Sequence, residues 1–187
     1  PTPGFTNDSS VCFNGISSEP VVSLNSGWYA NQQHVTIIYS NSTQIFYTTN
    51  GDVPDPNDNL YSDTLYFDST TVLSVRAFSS NNLPSEVVDR TYIINEDNYG
   101  LPVFSIITDS LNLWDWNTGI YVLGPNANPS PPNNGANFRM PWAKWSRLEF
   151  FDENRNKQAE EEFDLEIHGG YSRCYPQKSF RCDFKSR

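Results

Sequence analysis

Short runs in which apolar and polar residues alternate start at Val21 and recur to Ile94: VVSL, HVTIIYS, QIFYTT, TLYF, TVLSVRAFS and RTYII. In HVTIIYS the residues Val35, Ile37 and Tyr39 share one parity, and in TVLSVRAF so do Thr71, Leu73, Val75 and Ala77. A period of two sends alternate side chains to opposite faces of a strand, so each run predicts a half-buried strand. The intervals carry turn chemistry, most clearly TTNGDVPDPND, whose Asn50-Gly51 pair suits the positive φ of a tight hairpin. Six or seven short strands at this spacing predict a small β-sandwich of immunoglobulin or fibronectin-III-like proportions.

The texture changes on both sides of that segment. PTPGFTNDSS is rich in Pro, Gly, Ser and Asn, so residues 1–19 read as a linker or the tail of an upstream module. NEDNYG, residues 95–100, is a polar joint that divides a sandwich over 20–95 from a second unit over 96–187. In the second unit LPVFSIITD predicts a strand and SLNLWDWNTG one or two helical turns. IYVLG follows, and PNANPSPPNNGANFRMP predicts a long exposed loop. Three strands close the chain: SRLEFFD, EEFDLEIHGG and KSFRCDF. Phe163, Leu165 and Ile167 face one side of the middle strand, with Glu162, Asp164, Glu166 and His168 on the other.

Composition agrees with a mainly β chain: aromatic residues make up 14% of the 187 residues and there is a single Met. The net charge of -10 and a pI near 4.5 argue against a nucleic-acid partner, which draws on clustered Lys and Arg. No apolar run approaches the 18 or so residues of a transmembrane helix, and no charged-then-apolar leader opens the chain, so any export signal is expected to be removed or upstream of Pro1. Cys174 and Cys182 lie across a predicted turn and can bridge if their Cα atoms come within about 7 Å. The alternatives are three reduced thiols, or a bridge from Cys12 to either one. None of the spacings is a zinc pattern.

Several residues can carry chemistry. Were KSFRCDF a strand throughout, Lys178 would share a face with Phe180, Cys182 and Phe184, and a cation there needs a carboxylate or a bound phosphate. The other reading sets Lys178 just before the strand, solvated beside Pro176. HGGYSR can cradle an anion on its glycine amides, with Arg173 nearby, or simply turn the chain between strands. His168 with Cys174 would be a nucleophile pair only if a third group oriented them. Asp52, Asp55 and Asp58 in NGDVPDPNDN are oxygen ligands of the sort calcium takes, without EF-hand spacing. Glu160, Glu161 and Glu162 read as a solvated face. Trp114, Trp116, Trp142 and Trp145 suit either a sugar-stacking platform or aromatic core. Asn7 and Asn41 head N-x-S/T sequons.

Two family resemblances follow from these motifs. QIFYTTNGDVPDPNDNLYSDTLYFDSTTVLSVRAF and the residues to Ile94 resemble the chitobiase/β-hexosaminidase carboxyl-terminal-like module, with Asn50 where that family has aspartate. LPVFSIITDSLNLWDWNTGIYV followed by EFDLEIHGGYSRCYPQKSFR resembles the opening of the spore-coat-H (CotH) kinase-like family, and PTPGF is similar to segments that follow lamin-tail-like modules. The second resemblance implies an incomplete α+β kinase-like N-lobe after the sandwich, with Lys178 as nucleotide-binding lysine and Arg173 as phosphate neighbour. It implies ATP and Mg or Mn for the complete protein. Catalytic residues are expected beyond Arg187, so that the present chain alone would be inactive; Asp183 is no substitute. A secreted or cell-surface setting is implied, with the rest of the same polypeptide and a surface or secretion-machinery protein as partners. The competing expectations are a non-catalytic cell-surface adhesion, carbohydrate-binding or structural protein, or exported cargo captured with a secretion partner.

Overall fold

The computed structural model describes residues 13–40, 43–97 and 99–184. Cys12 and the sequons at Asn7 and Asn41 lie outside the described residues. The first unit contains β1 (Val21–Val22), β2 (Gly27–Tyr29), β3 (Gln33–Val35), β4 (Ile37–Ile38), β5 (Thr43–Thr48), β6 (Asn59–Leu60), β7 (Leu65–Phe67), β8 (Thr71–Ser79) and β9 (Val88–Ile94). A five-stranded sheet in the order β2-β9-β8-β5-β6 faces two small pairs, β1-β4 and β3-β7. The apolar parity of β8 does what the alternation predicts, since Leu73, Val75 and Ala77 have no solvent exposure and pack with Val35, Ile45, Tyr92 and Ile94.

The predicted strand HVTIIYS divides at Thr36. Before it, β3 pairs with β7; after it, β4 pairs with β1. The backbone N–H of Thr36 donates to Ser23 Oγ and its carbonyl accepts from the Ser23 N–H, both at 2.9 Å, so one residue serves as the crossing point. Tyr39, expected on the core face, is exposed and meets Tyr61 edge to face. Residues 14–17, at the end of the stretch read as a linker, are pinned to the loop after β8 by backbone bonds to Asn81 and Leu83.

The second unit is a four-stranded antiparallel sheet of β10 (Val103–Ile107), β11 (Lys144–Phe151), β12 (Lys157–His168) and β13 (Ser179–Asp183), in that order. One helix, α1 (Ser110–Trp114), lies between β10 and β11. Its brevity has a local cause. Asp109 caps it by accepting from the Leu111 N–H at 2.7 Å, and Asp115 ends it by accepting from the Asn117 and Thr118 N–H groups in an Asx turn. With that helix and two 3-10 turns, the architecture is mainly β, and the helical part of the expected α+β lobe is slight among the described residues; no kinase-like lobe is evident.

Strand parity sorts β11 into two jobs. Leu148 faces a second apolar core with Ile120, Phe138, Phe163, Leu165 and Ile167. Arg147, Glu149 and Phe151 face the five-stranded sheet of the first unit instead. Phe151 meets Trp28 edge to face at 5.1 Å, Arg147 pairs with Asp89 at 3.1 Å, and Ser26 donates to Glu149 at 2.6 Å. The two units are therefore joined sheet to sheet through buried charge.

The Pro- and Asn-rich loop before β11 departs from its expected exposure. Ala136, Asn137 and Phe138 are buried, because the Asn137 amide donates to the carbonyls of Trp116 and Gly119 at 3.1 Å each and ties the loop over the second core. Gly124 lies against that amide, where a Cβ would come 2.0 Å from Asn137 Oδ1.

Candidate anion-binding site

The connection from β12 to β13 places the predicted residues together. Gly169, at φ +115, opens a turn that runs into a 3-10 segment over Tyr171–Cys174. Arg173 folds back along it, donating from Nε to the Gly169 carbonyl at 2.6 Å and from Nη1 to the Phe138 carbonyl at 3.3 Å. The HGGYSR turn is thus shaped by an arginine that reaches into the loop before β11.

Lys178 stands one residue ahead of β13, on the side of Tyr121 that Phe180 also meets, and no carboxylate among the described residues holds it. It is also not freely solvated. Its ammonium lies 4.5 Å from the Phe138 ring centroid and 5.0 Å from that of Tyr121, and donates to the Tyr175 carbonyl at 2.8 Å. Aromatic faces attract a cation through their quadrupole. Burial lowers the lysine's proton affinity, against a smaller opposing pull from Cys174. Tyr121 fixes the approach from both sides: its hydroxyl accepts from the Lys178 N–H at 3.0 Å and donates to the Pro176 carbonyl at 3.2 Å.

A third cation joins them that the sequence reading did not single out. Arg139 bonds to the Cys174 sulfur at 3.0 Å and to the Pro132 carbonyl. Its neighbour Phe138 gives its ring to Lys178 and its carbonyl to Arg173, while Arg139 itself reaches Cys174, so the three cations approach where the loop before β11 meets the turn before β13. Among the described residues none of the three forms an ion pair. A lone arginine in a Pro/Asn-rich loop gave no signal of its own; only the burial of Phe138 brings it here.

The remaining candidates separate. Cys174 and Cys182 are both free, so the local bridge is not made; Cys174 instead donates to the Pro132 carbonyl at 3.1 Å. His168 is exposed at the end of β12, and among the described residues no group orients it toward Cys174. Glu160 pairs with Lys157, which also reaches Glu149. Trp114 and Trp116 are exposed, Trp142 packs on the second core, and Trp145 is 38% exposed with the Arg147 guanidinium 5.3 Å from its ring.

Asp52, Asp55 and Asp58 cluster in the loop after β5, where each binds its own loop: Asp52 takes the Asn50 amide, Asp55 the Asn57 N–H and Asp58 the Asp55 N–H. Among the described residues no three His, Cys, Asp or Glu side chains gather closely enough to hold a metal ion. Nor is any described helix long and apolar enough to cross a membrane.

Comparison with known proteins adds to the first unit. Residues 24–89 match the model of the family described as Chitobiase/beta-hexosaminidase C-terminal domain. The matched span runs from just before β2 into β9 and covers the hairpin TTNGDVPDPND. No curated protein and no solved structure matches the chain.

Proposed function

We propose that this chain is the front portion of a secreted or cell-surface CotH-like protein, in which the cluster of Lys178, Arg173 and Arg139 receives the phosphates of a nucleotide. The observation that carries this reading is the convergence of three cations, none with a carboxylate partner among the described residues, in a chain whose net charge is -10. Unneutralised cations gathered where two loops meet are an anion site waiting for charge from outside. Arg173 and Arg139 offer guanidinium N–H groups in a fixed fork, and Lys178 adds a point charge held over aromatic rings.

The fit to the expected cofactors is uneven. ATP would meet its phosphates here, whereas the cluster holds no carboxylate for magnesium or manganese, so the reading goes as far as phosphate binding and no transfer step is assigned to these residues. The sandwich acts as a rigid platform ahead of the site, and the rest of the same polypeptide and a surface or secretion-machinery protein are the expected partners.

Nucleotide titration of the full-length protein with magnesium or manganese tests this. Lys178→Ala and Arg139→Ala should each weaken ATP binding tenfold or more while the circular dichroism spectrum stays the same. Full-length protein that ignores ATP and inorganic phosphate, or binds both unchanged in the two variants, removes the proposal.

A further inference from the structure

The second sheet ends on β10 at one side and on β13 at the other, and the Lys178 cluster belongs to the β13 side. An end strand shows a row of backbone N–H and C=O groups with no partner strand, and natural sheets blunt such rows with charge, proline, a bulge or shortness. β13 carries Arg181 and Asp183, and the end strands of the five-stranded sheet, β2 and β6, are three and two residues long. β10 has none of these devices. Its sequence VFSII holds no charge and no proline, and its register against β11 runs unbroken from Val103 to Ile107. No strand among the described residues pairs with its other side.

The space beside that edge is open. Two clefts, of about 480 and 320 Å³, lie along it and share Thr70 and Val72 of the first unit. The larger runs along Val103 and Ser105, the smaller along Ile106 and Ile107. Strand parity turns Val103 and Ser105 toward the five-stranded sheet, where the Ser105 and Thr91 hydroxyls meet at 2.8 Å. The larger cleft is mostly apolar, with Val72 and Ile93 from one unit facing Leu101 and Val103 from the other, and Trp28 beside them. Phe151 holds that indole edge to face at 5.1 Å.

The larger cleft also has a sign. Glu96 and Asp97 line it, both exposed, and the Thr70 hydroxyl donates to Glu96 at 3.0 Å, which orients that carboxylate. No Lys or Arg lines either cleft. Arg155, 5.5 Å from the Trp28 ring, shares a neighbouring cleft with the two carboxylates and forms no ion pair with them.

The geometry points to an extended peptide of a partner protein as the occupant: about five residues that pair with β10 through the main chain, seat alternate apolar side chains on Val72 and Ile93, and carry lysine or arginine beside Glu96 and Asp97. Main-chain pairing satisfies the bare row of β10, and the period of two suits an apolar floor beneath a wet outer face. Charge separates this partner from a second copy of the chain. Residues 95–109, which hold β10 and both its flanks, contain no Lys or Arg to offer, and each copy brings a net charge of -10. A compact apolar molecule would fill one cleft and leave the main chain of β10 bare.

The test uses the intact chain and the fluorescein-labelled peptide KKVTVTVKK, read by polarisation and by amide hydrogen exchange. Saturable binding is expected, with slower exchange at alternate amides of β10. The peptide EEVTVTVEE, and KKVTVTVKK with N-methylated valines and threonines, should each bind at least tenfold more weakly. The double variant Glu96→Lys/Asp97→Lys, at two exposed positions, should weaken KKVTVTVKK tenfold or more and strengthen EEVTVTVEE, with an unchanged circular dichroism spectrum. Absence of saturation, equal binding of the N-methylated peptide, or indifference to the charge swap would each overturn the proposal. So would protection of every β10 amide in the free chain, which would mean that a segment of the same chain fills the edge. A dimer in sedimentation that the peptide fails to dissociate would overturn it in favour of a second copy.

Discussion

The sandwich core and the seam between the units bury side chains equally well and by opposite chemistry. In the core, Leu73, Val75, Ala77 and Tyr92 meet one another with little but carbon. At the seam, one strand away, Asp89, Arg147 and Glu149 are sealed from water among Ser74, Ser26 and Thr91. Apolar contacts are indifferent to small rotations, so they hold the sandwich together without dictating how a second body sits on it. Charges are demanding. Arg147 reaches Asp89, Ser74 and the Gly51 carbonyl at once, and that combination of partners restricts how the two sheets dock. The seam gains orientation where the core gains free energy, in keeping with the weak net stabilisation expected of buried ion pairs.

The sharpest way to break this contrast is to remove one charge. Arg147→Ala leaves Asp89 buried and unpaired, and should cost about 3–5 kcal/mol in urea unfolding, whereas Arg147→Met with Asp89→Leu together should recover much of the loss. A recovery near zero would mean that the pair supplies stability as well as orientation. Next in size, Leu73→Ala in the core should cost about 2–5 kcal/mol by leaving a cavity, with the seam's geometry unchanged by crosslinking across Gly51 and Thr108.

Acid sharpens the comparison further. Burial lifts the Asp89 carboxyl from its ordinary value to about 6, against the pull of Arg147 and the Ser74 hydroxyl. Because its folded value lies above its unfolded value, the folded state takes up this proton first. The contribution of Asp89 to stability therefore rises as pH falls from 7 through 6 and levels off below about 4. Measured against Asp89→Asn, the wild-type chain should gain up to roughly 3 kcal/mol between pH 7 and pH 4. A flat difference would place the proton elsewhere. The smallest effect is expected at the hinge point: Gly51→Ala puts a Cβ against Thr108 at positive φ, and should lower stability by about 1–3 kcal/mol, with faster amide exchange at Thr108 as the local signature.

The alternation in TVLSVRAFS and EEFDLEIH was enough to name the buried rows of β8 and β12, because each strand has one parity in an apolar core. The same rule fell short at β11. Both its faces are covered, and the parity that looks solvated in sequence, Arg147 and Glu149, is the one that meets the other sheet. Charge in a strand ordinarily signals water; only the complementary charge of Asp89, distant in sequence, reverses that. HVTIIYS read as one strand because Val35, Ile37 and Tyr39 keep one parity, and its break at Thr36 depends on Ser23. At the candidate site, Lys178 was singled out by strand parity and the family resemblance and Arg173 by its place in HGGYSR, and Phe138 meets both. Arg139 and Asn137 were not, since a loop rich in Pro and Asn reads as exposed until its amide finds carbonyls to bind. The larger cleft along β10 draws its walls from two units, and no spacing along the chain could have set Val72 beside Val103.

The two-sided character of β11 also bears on how the chain reaches its fold. A slip of one residue against β10 and β12 would turn Arg147 and Glu149 toward Ile120, Phe138 and Phe163, and would turn Leu148 toward Asp89. Both faces would then be wrong at once, so the misaligned hairpin has no partly favourable half in which to linger. The strand carries its own proofreading, since each of its faces rejects the slipped register against a different partner.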